Sequence, residues 1–164
     1  MKKAVYPGSF DPITKGHMDL IVRASALVSD LYVLISVSSQ KQSLFSAEER
    51  QDMIKKSLPD LPNLHVYFHQ GLTTDFMKSH QIQVLVRGLR QVEDFEYERS
   101  MAQYNSSLHS AAETLLLYSH PSLSFISSRG VKEVAKHAQT AEELEKFVSP
   151  VVAKALFEKM KGQK

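Results

Sequence analysis

Five short apolar runs rich in Val, Ile, Leu, Tyr and Phe recur along the chain: Lys3 to Tyr6, Leu31 to Val37, Leu64 to Phe68, Val84 to Val86 and Thr114 to Tyr118. Each has the length of a strand buried on both faces, where neighbouring side chains must all be apolar. Between them lie segments with apolar positions at helical spacing, Thr14 to Val28, Ser46 to Leu58, Thr74 to His80 and Asp94 to Leu108. Strands alternating with helices imply right-handed crossovers and a parallel sheet covered on both faces. The expected fold is α/β, a Rossmann-like doubly wound five-stranded parallel sheet. After the fifth strand the pattern is helical only, over Val131 to Ala138, Ala141 to Phe147 and Pro150 to Lys161, with Pro150 suited to a first helical turn. No repeat or linker interrupts the pattern, so one domain over residues 1–164 with a helical C-terminal end is expected.

Composition narrows the function classes. No apolar run approaches the ~20 residues of a membrane span, and the start reaches Pro7 and Gly8 too early for a signal peptide. A cytoplasmic protein with no membrane role is expected. The chain has no cysteine, which excludes disulfides and thiolate metal sites. A net charge of +2, from 20 basic against 18 acidic residues, offers no basic stripe for nucleic acid. Lys154, Lys159, Lys161 and Lys164 read as the solvated face of a last helix. His65 and His69 would stand ~13 Å apart along a strand, too far to share a metal.

In a doubly wound sheet, ligands bind beyond the carboxyl ends of the strands where strand order reverses. With order 3-2-1-4-5, strands one and four flank that point. The first runs into Pro7-Gly8-Ser9-Phe10-Asp11-Pro12-Ile13-Thr14-Lys15-Gly16-His17 and the fourth into Arg87-Gly88-Leu89-Arg90. Thr14 can cap the following helix and leave Lys15, Gly16 and His17 in its first turn, where free amides and the dipole attract anions. Gly8 gives the loop room for a nucleotide, and Gly16 lets a phosphate approach the backbone. The dipole should keep His17 neutral, with one ring N–H to donate. The plainer alternative is a capped helix with an incidental histidine. Ser127 and Ser128, ahead of a helix with Val131, Val134 and Ala135 on its core side, form a second candidate anion site or simply an N-cap. Arg87 and Arg90 read either as phosphate ligands or as partners of Glu93, Asp94 or Glu96.

Gly8-Ser9-Phe10-Asp11-Pro12 ending in Gly16-His17 resembles the first signature of the nucleotidyltransferase superfamily. Arg87 to Arg90, then Asp94-Phe95-Glu96-Tyr97-Glu98, then Phe125-Ile126-Ser127-Ser128 with Val131-Lys132-Glu133-Val134-Ala135, are similar to phosphopantetheine adenylyltransferases in particular. The ordered set spans nearly the whole chain. The resemblance implies adenylyl transfer from ATP to 4′-phosphopantetheine, a homohexamer and feedback inhibition by coenzyme A. By position it implies that His17, Lys41 and Arg90 are catalytic. Ser9, Phe10, His17, Gly88, Leu89, Arg90, Glu98, Leu123, Ser124, Phe125, Ile126, Ser127, Ser128 and Arg129 would hold ATP. Ser9, Lys41, Thr73 and Arg87 would hold the acceptor. Arg129 stands where the family usually has a serine.

Such a transfer needs aligned substrates and positive charge rather than a protein nucleophile, with Mg²⁺ neutralising the triphosphate. Two alternatives remain: another small-molecule adenylyl- or cytidylyltransferase, which would share the Gly-His loop, and a non-catalytic nucleotide-binding module. Arg87 to Arg90 with Asp94 to Glu98 argue against the first. His17 together with Lys41 argues against the second.

Overall fold

The computed structural model describes residues 2–162 except 39 and 41. Its strands are β1 (Lys3–Gly8), β2 (Asp30–Val37), β3 (Leu64–Gln70), β4 (Val84–Leu89) and β5 (Glu113–Tyr118), all parallel, in the order β3-β2-β1-β4-β5. Helices α1 (Lys15–Ser25), α2 (Ala47–Ser57), α3 (Thr73–Ser79) and α4 (Val92–Leu108) make the crossovers, and α5 (Ser128–Ala135) and α6 (Pro150–Lys161) close the C-terminal end. The expected sheet and order are therefore those observed.

The apolar runs are strands because the central ones are covered on both faces: Ala4, Val5, Leu31, Val33, Leu34, Ile35, Leu85 and Val86 are all buried. At about 1.5–3 kcal/mol for each large side chain removed from water, this row holds the sheet together. Helix α1 starts at Thr14, whose hydroxyl accepts from the His17 amide, and α2 starts at Ser46, which accepts from the Glu49 amide. Both carry a reciprocal capping box, so each crossover has a sharply defined first turn.

Two expectations shift. Arg87, Gly88 and Leu89 lie inside β4 rather than beyond it. Strand pairing continues through them to β5, with Leu89 opposite Tyr118. Residues 142–146 form a 3-10 turn, not an α-helix, since Ala141 supplies no side-chain cap and the element is only five residues long. The Phe147 carbonyl just after it accepts from the Lys15 amide at 2.9 Å and so ties the C-terminal end to the start of α1.

The register opens the site. β1 pairs with β4 only at Ala4 with Val84 and Val5 with Leu85, yet β1 runs on to Gly8 and β4 to Leu89. The strands part at their carboxyl ends, and the crevice lies where strand order reverses. Gly88 suits the close packing there: a Cβ on it would meet the end of the Leu20 side chain of α1 and force that side chain to move.

Candidate active site

A cavity of about 270 Å³ fills the crevice, with its floor on β1 and β4 and its walls at the starts of α1 and α5. The sequence candidates Ser9, Phe10, His17, Gly88, Arg90 and Glu98 line it, as do Leu123, Ile126, Ser127, Ser128 and Arg87. A second cavity of about 170 Å³ is lined by Thr73, Ser36, Tyr97, Met101 and Asn105. Pro7, Gly8, Arg87 and Glu98 belong to both, so they form a shared wall.

His17 is built from its own helix start. The Thr14 amide donates to His17 Nδ1 at 3.1 Å, so Nδ1 accepts and the ring proton of the neutral form sits on Nε2. Nε2 has no protein partner among the described residues. Burial, followed by the charges of Arg90 and Arg87, lowers the ring from its ordinary 6.5 to about 4. The neutral histidine fits the expectation, with desolvation as its first cause and the two arginines adding to it. The ring of Phe10 meets that of His17 edge-on with centroids 5.1 Å apart, and that of Tyr6 at 5.6 Å. Burial pushes the Tyr6 phenol up to about 12, so it stays protonated.

The amides complete the anion pocket. Lys15 N–H is taken by Phe147 and His17 N–H by Thr14 at 3.4 Å, which leaves Gly16 N–H without a protein acceptor among the described residues. A Cβ on Gly16 would come no closer than 3.6 Å to protein, so packing alone does not demand glycine there, whereas close approach of a ligand to the amide would. Gly8 differs: the room it leaves is filled by the Phe10 ring, which a Cβ would meet at 3.0 Å. At α5 the Ser127 hydroxyl accepts from Gly130 N–H at 3.0 Å and Ser128 donates to the Pro12 carbonyl at 2.8 Å. Ser127 is thus an N-cap that also faces the cavity.

Arg87 donates from Nε to Glu98 Oε2 at 2.8 Å and Oε1 at 3.0 Å, from Nη2 to Oε1 at 2.8 Å, and from Nη1 to the Pro7 carbonyl at 3.1 Å. Its partner is Glu98, none of the three acids expected from sequence. Burial works against the charge, but the Glu98 hydrogen bonds and charge outweigh it and raise the Arg87 pKa. Arg90 does pair with one expected acid, Asp94, through a looser Nε contact of 3.6 Å.

Four further candidates lie elsewhere. Leu89 faces an apolar hollow beside Phe95 and Tyr118. Phe125 is exposed against Phe147, and Ser124 donates to the Pro121 carbonyl. Arg129 is exposed on the first turn of α5 and is not among the cavity-lining residues. Lys41 lies outside the described residues. Sequence reasoning missed Tyr6, the second cavity's Tyr97, Met101 and Asn105, and two buried charges, Asp11 and Arg50.

A parallel sheet opens at its switch point onto a Gly-His helix start and two arginines, an arrangement suited to a nucleotide's phosphates. The cytidylyltransferase-like family model matches residues 5–134. The chain is 51% identical to the phosphopantetheine adenylyltransferase of Bdellovibrio bacteriovorus over 98% of each chain, and 46% identical to that of Thermotoga neapolitana, again over 98% of each. It belongs to the phosphopantetheine adenylyltransferase family. Its fold is similar to that of Plasmodium falciparum nicotinic acid mononucleotide adenylyltransferase complexed with NaAD, with a TM-score of 0.70 at 16% identity over 99% of this chain and 96% of that one. It is also similar to a bifunctional NMN adenylyltransferase/ADP ribose pyrophosphatase from Francisella tularensis, with a TM-score of 0.68 at 13% identity over 96% of this chain and 50% of the other.

The depressed His17 pKa has a stability consequence. Between about 4 and 6.5 the unfolded chain binds a proton that the folded ring refuses, so stability is complete above this window and is lost as pH falls through it. His17→Gln should therefore lose less stability than wild type between pH 6.5 and 4.5, by on the order of 2 kcal/mol. Denaturant melts at both pH values, beside an NMR titration of the ring, check this. A ring that titrates near 6.5 would contradict it.

Proposed function

We propose that the chain catalyses adenylyl transfer from ATP to 4′-phosphopantetheine, giving dephospho-coenzyme A and pyrophosphate, a step of coenzyme A biosynthesis. The observation that carries this reading is the pair of adjoining cavities with one shared Arg87–Glu98 wall, in a chain 51% identical to a phosphopantetheine adenylyltransferase. The larger cavity, with the Gly16 amide, His17 and Arg90, suits the nucleotide. The smaller one suits the acceptor, whose phosphate would meet the α-phosphorus beside Arg87.

An oxygen of the acceptor phosphate attacks the α-phosphorus of ATP in line; the new P–O bond forms as the bond to the β-phosphate oxygen breaks, and pyrophosphate leaves with that electron pair. No residue of the chain is covalently modified. His17 donates from Nε2 to an α-phosphoryl oxygen as charge gathers there, and Arg87 and Arg90 supply fixed positive charge on either side. Lys41 is proposed to hold the acceptor phosphate. Ser9, Ser127 and Ser128 are proposed to orient the nucleotide.

Magnesium is proposed to enter on the triphosphate. The acids lining the larger cavity, Asp94 and Glu98, are engaged by Arg90 and Arg87, and no metal-holding cluster of three His, Asp or Glu side chains occurs among the described residues. The residues therefore do not fit a resident ion cage. A homohexamer is proposed too, supported by α4 and β5, which leave Val92, Phe95, Tyr97, Tyr104 and Tyr118 exposed. Coenzyme A, as a relative of the product, would compete for the same two cavities and inhibit. A cytoplasmic location is proposed, supported by the lack of any helix long and apolar enough to cross a membrane among the described residues.

The test offers Mg²⁺ with ATP or CTP and, in turn, phosphopantetheine, nicotinamide mononucleotide or glycerol phosphate, and measures pyrophosphate. Release with ATP and phosphopantetheine only is expected. Turnover with CTP or another acceptor in its place would replace this reading.

A further inference from the structure

Phe10 has φ +46°, the left-handed conformation that a bulky side chain rarely adopts and that persists only where the surroundings impose it. What imposes it is visible on both sides of the residue. The carbonyl of Ser9, on the peptide just before Phe10, accepts from Arg50 Nη1 at 2.8 Å. The carboxylate of Asp11, just after, accepts from Leu44 N–H and Phe45 N–H at 2.9 Å each and from Lys132 Nζ at 3.2 Å.

Both clamps are buried charges. Arg50 is only 3% exposed and makes no ion pair among the described residues; it spends its fork on carbonyls instead, that of Ser9, that of Ser36 at the end of β2 (3.3 Å) and, through Nε, that of Ser46 at the cap of α2 (3.2 Å). A planar guanidinium can reach three elements at once, which a lysine ammonium on a flexible stem cannot. Arg50 and Asp11 therefore fasten the β1–α1 loop to the β2–α2 connection from two directions. The Phe10 ring then packs edge-on against His17.

We propose that Arg50 and Asp11 are positioning residues of the active site, two buried opposite charges that hold Phe10 left-handed and thereby set the place of the His17 ring. Neither lines the cavity, so they act on transfer through Phe10. The reaction rests on the adenylyl-transfer reading; the geometry does not.

Arg50→Lys keeps the charge and loses the fork. It should lower kcat about 10–100-fold with KM for ATP changed less than about threefold, because misplaced catalytic groups cost rate more than ground-state binding. In the substrate-free protein it should also move the His17 ring resonances in an NMR spectrum. A role in stability alone would shift the melting temperature and move neither. Asp11→Asn, which keeps one acceptor oxygen but sets an amide NH₂ against either the Phe45 N–H or the Leu44 N–H and Lys132, is read the same way, and serves if Arg50→Lys does not fold. Either readout unmoved in a folded variant overturns the proposal, and so does failure of both variants to fold, which would assign the pair to folding. Wild-type pyrophosphate release is the control: its absence would remove the adenylyl-transfer reading while the His17 resonances still test the clamp.

Discussion

His17→Ala should lower kcat for adenylyl transfer by about 10²–10³-fold while ATP affinity changes by less than about threefold. The factor is that of one preorganised hydrogen-bond donor aimed at developing charge. His17 meets the conditions for such a donor. Its Nδ1 is fixed by the Thr14 amide, its ring is braced by Phe10, and its depressed pKa keeps it neutral with the proton on Nε2 at any working pH. A donor that needs no reorientation or protonation stabilises the transition state more than bound ATP, whose α-phosphate carries less charge at the contacted oxygen. Alanine also removes half of the α1 capping box, so a fall of about 1 kcal/mol in stability should accompany the loss of rate. Steady-state kinetics beside calorimetric titration with ATP separates the two effects. Equal losses in affinity and in kcat/KM would make His17 an ordinary ground-state ligand.

The central strands were legible because a strand covered on both faces has to be apolar at nearly every position, and that constraint is written locally; the edge strands β3 and β5, which bury no residue fully, showed only by their content of Val, Leu, Tyr and Phe. The Gly-His loop was legible for a related reason: its chemistry depends on residues four or fewer apart, as the Thr14–His17 cap shows. What was not legible depends on distant segments meeting. Arg87 has Glu98 as its partner, eleven residues on, because β4 and the middle of α4 come together; the nearer acids looked equally suitable. Glu98 is the only buried residue of α4, and no period along a helix so widely exposed marks it. Arg50 did leave a signal, since it shares the buried stripe of α2 with Met53 and Ile54 at spacings of three and four. A charged residue on an apolar stripe is either a fault or a buried ligand for backbone. Asp11 left none: its acceptors' partners are Leu44, Phe45 and Lys132, 33 to 121 residues away.

Glu98→Ala should act on both stability and turnover, in a pattern that sets its role apart from nucleotide contact. The Glu98 side chain is 7% exposed and that of Arg87 30%, so removing the carboxylate leaves a largely buried guanidinium with only the Pro7 carbonyl. Breaking a buried pair costs about 3–5 kcal/mol, and the partial opening of Arg87 to the cavities reduces this to about 2 kcal/mol. Anionic substrate can replace the lost carboxylate, so bound ATP should raise the melting temperature of Glu98→Ala more than that of wild type at the same saturation. The carboxylate no longer competes for Arg87, so KM for either substrate should stay level or fall. Turnover should still drop, by about 10–100-fold, because the guanidinium that both cavities share is no longer held flat between β4 and α4. Glu98→Gln separates orientation from charge: its amide oxygen at the Oε1 place keeps an acceptor for Arg87 Nε and Nη2, but its NH₂ then faces Nε, so kcat should recover only in part. Initial rates with each substrate varied, and melting curves with and without ATP, decide between the two roles. A KM for ATP raised about tenfold at unchanged kcat would make Glu98 a direct nucleotide ligand; a fall in kcat at level KM makes it the residue that holds Arg87 in place for both substrates.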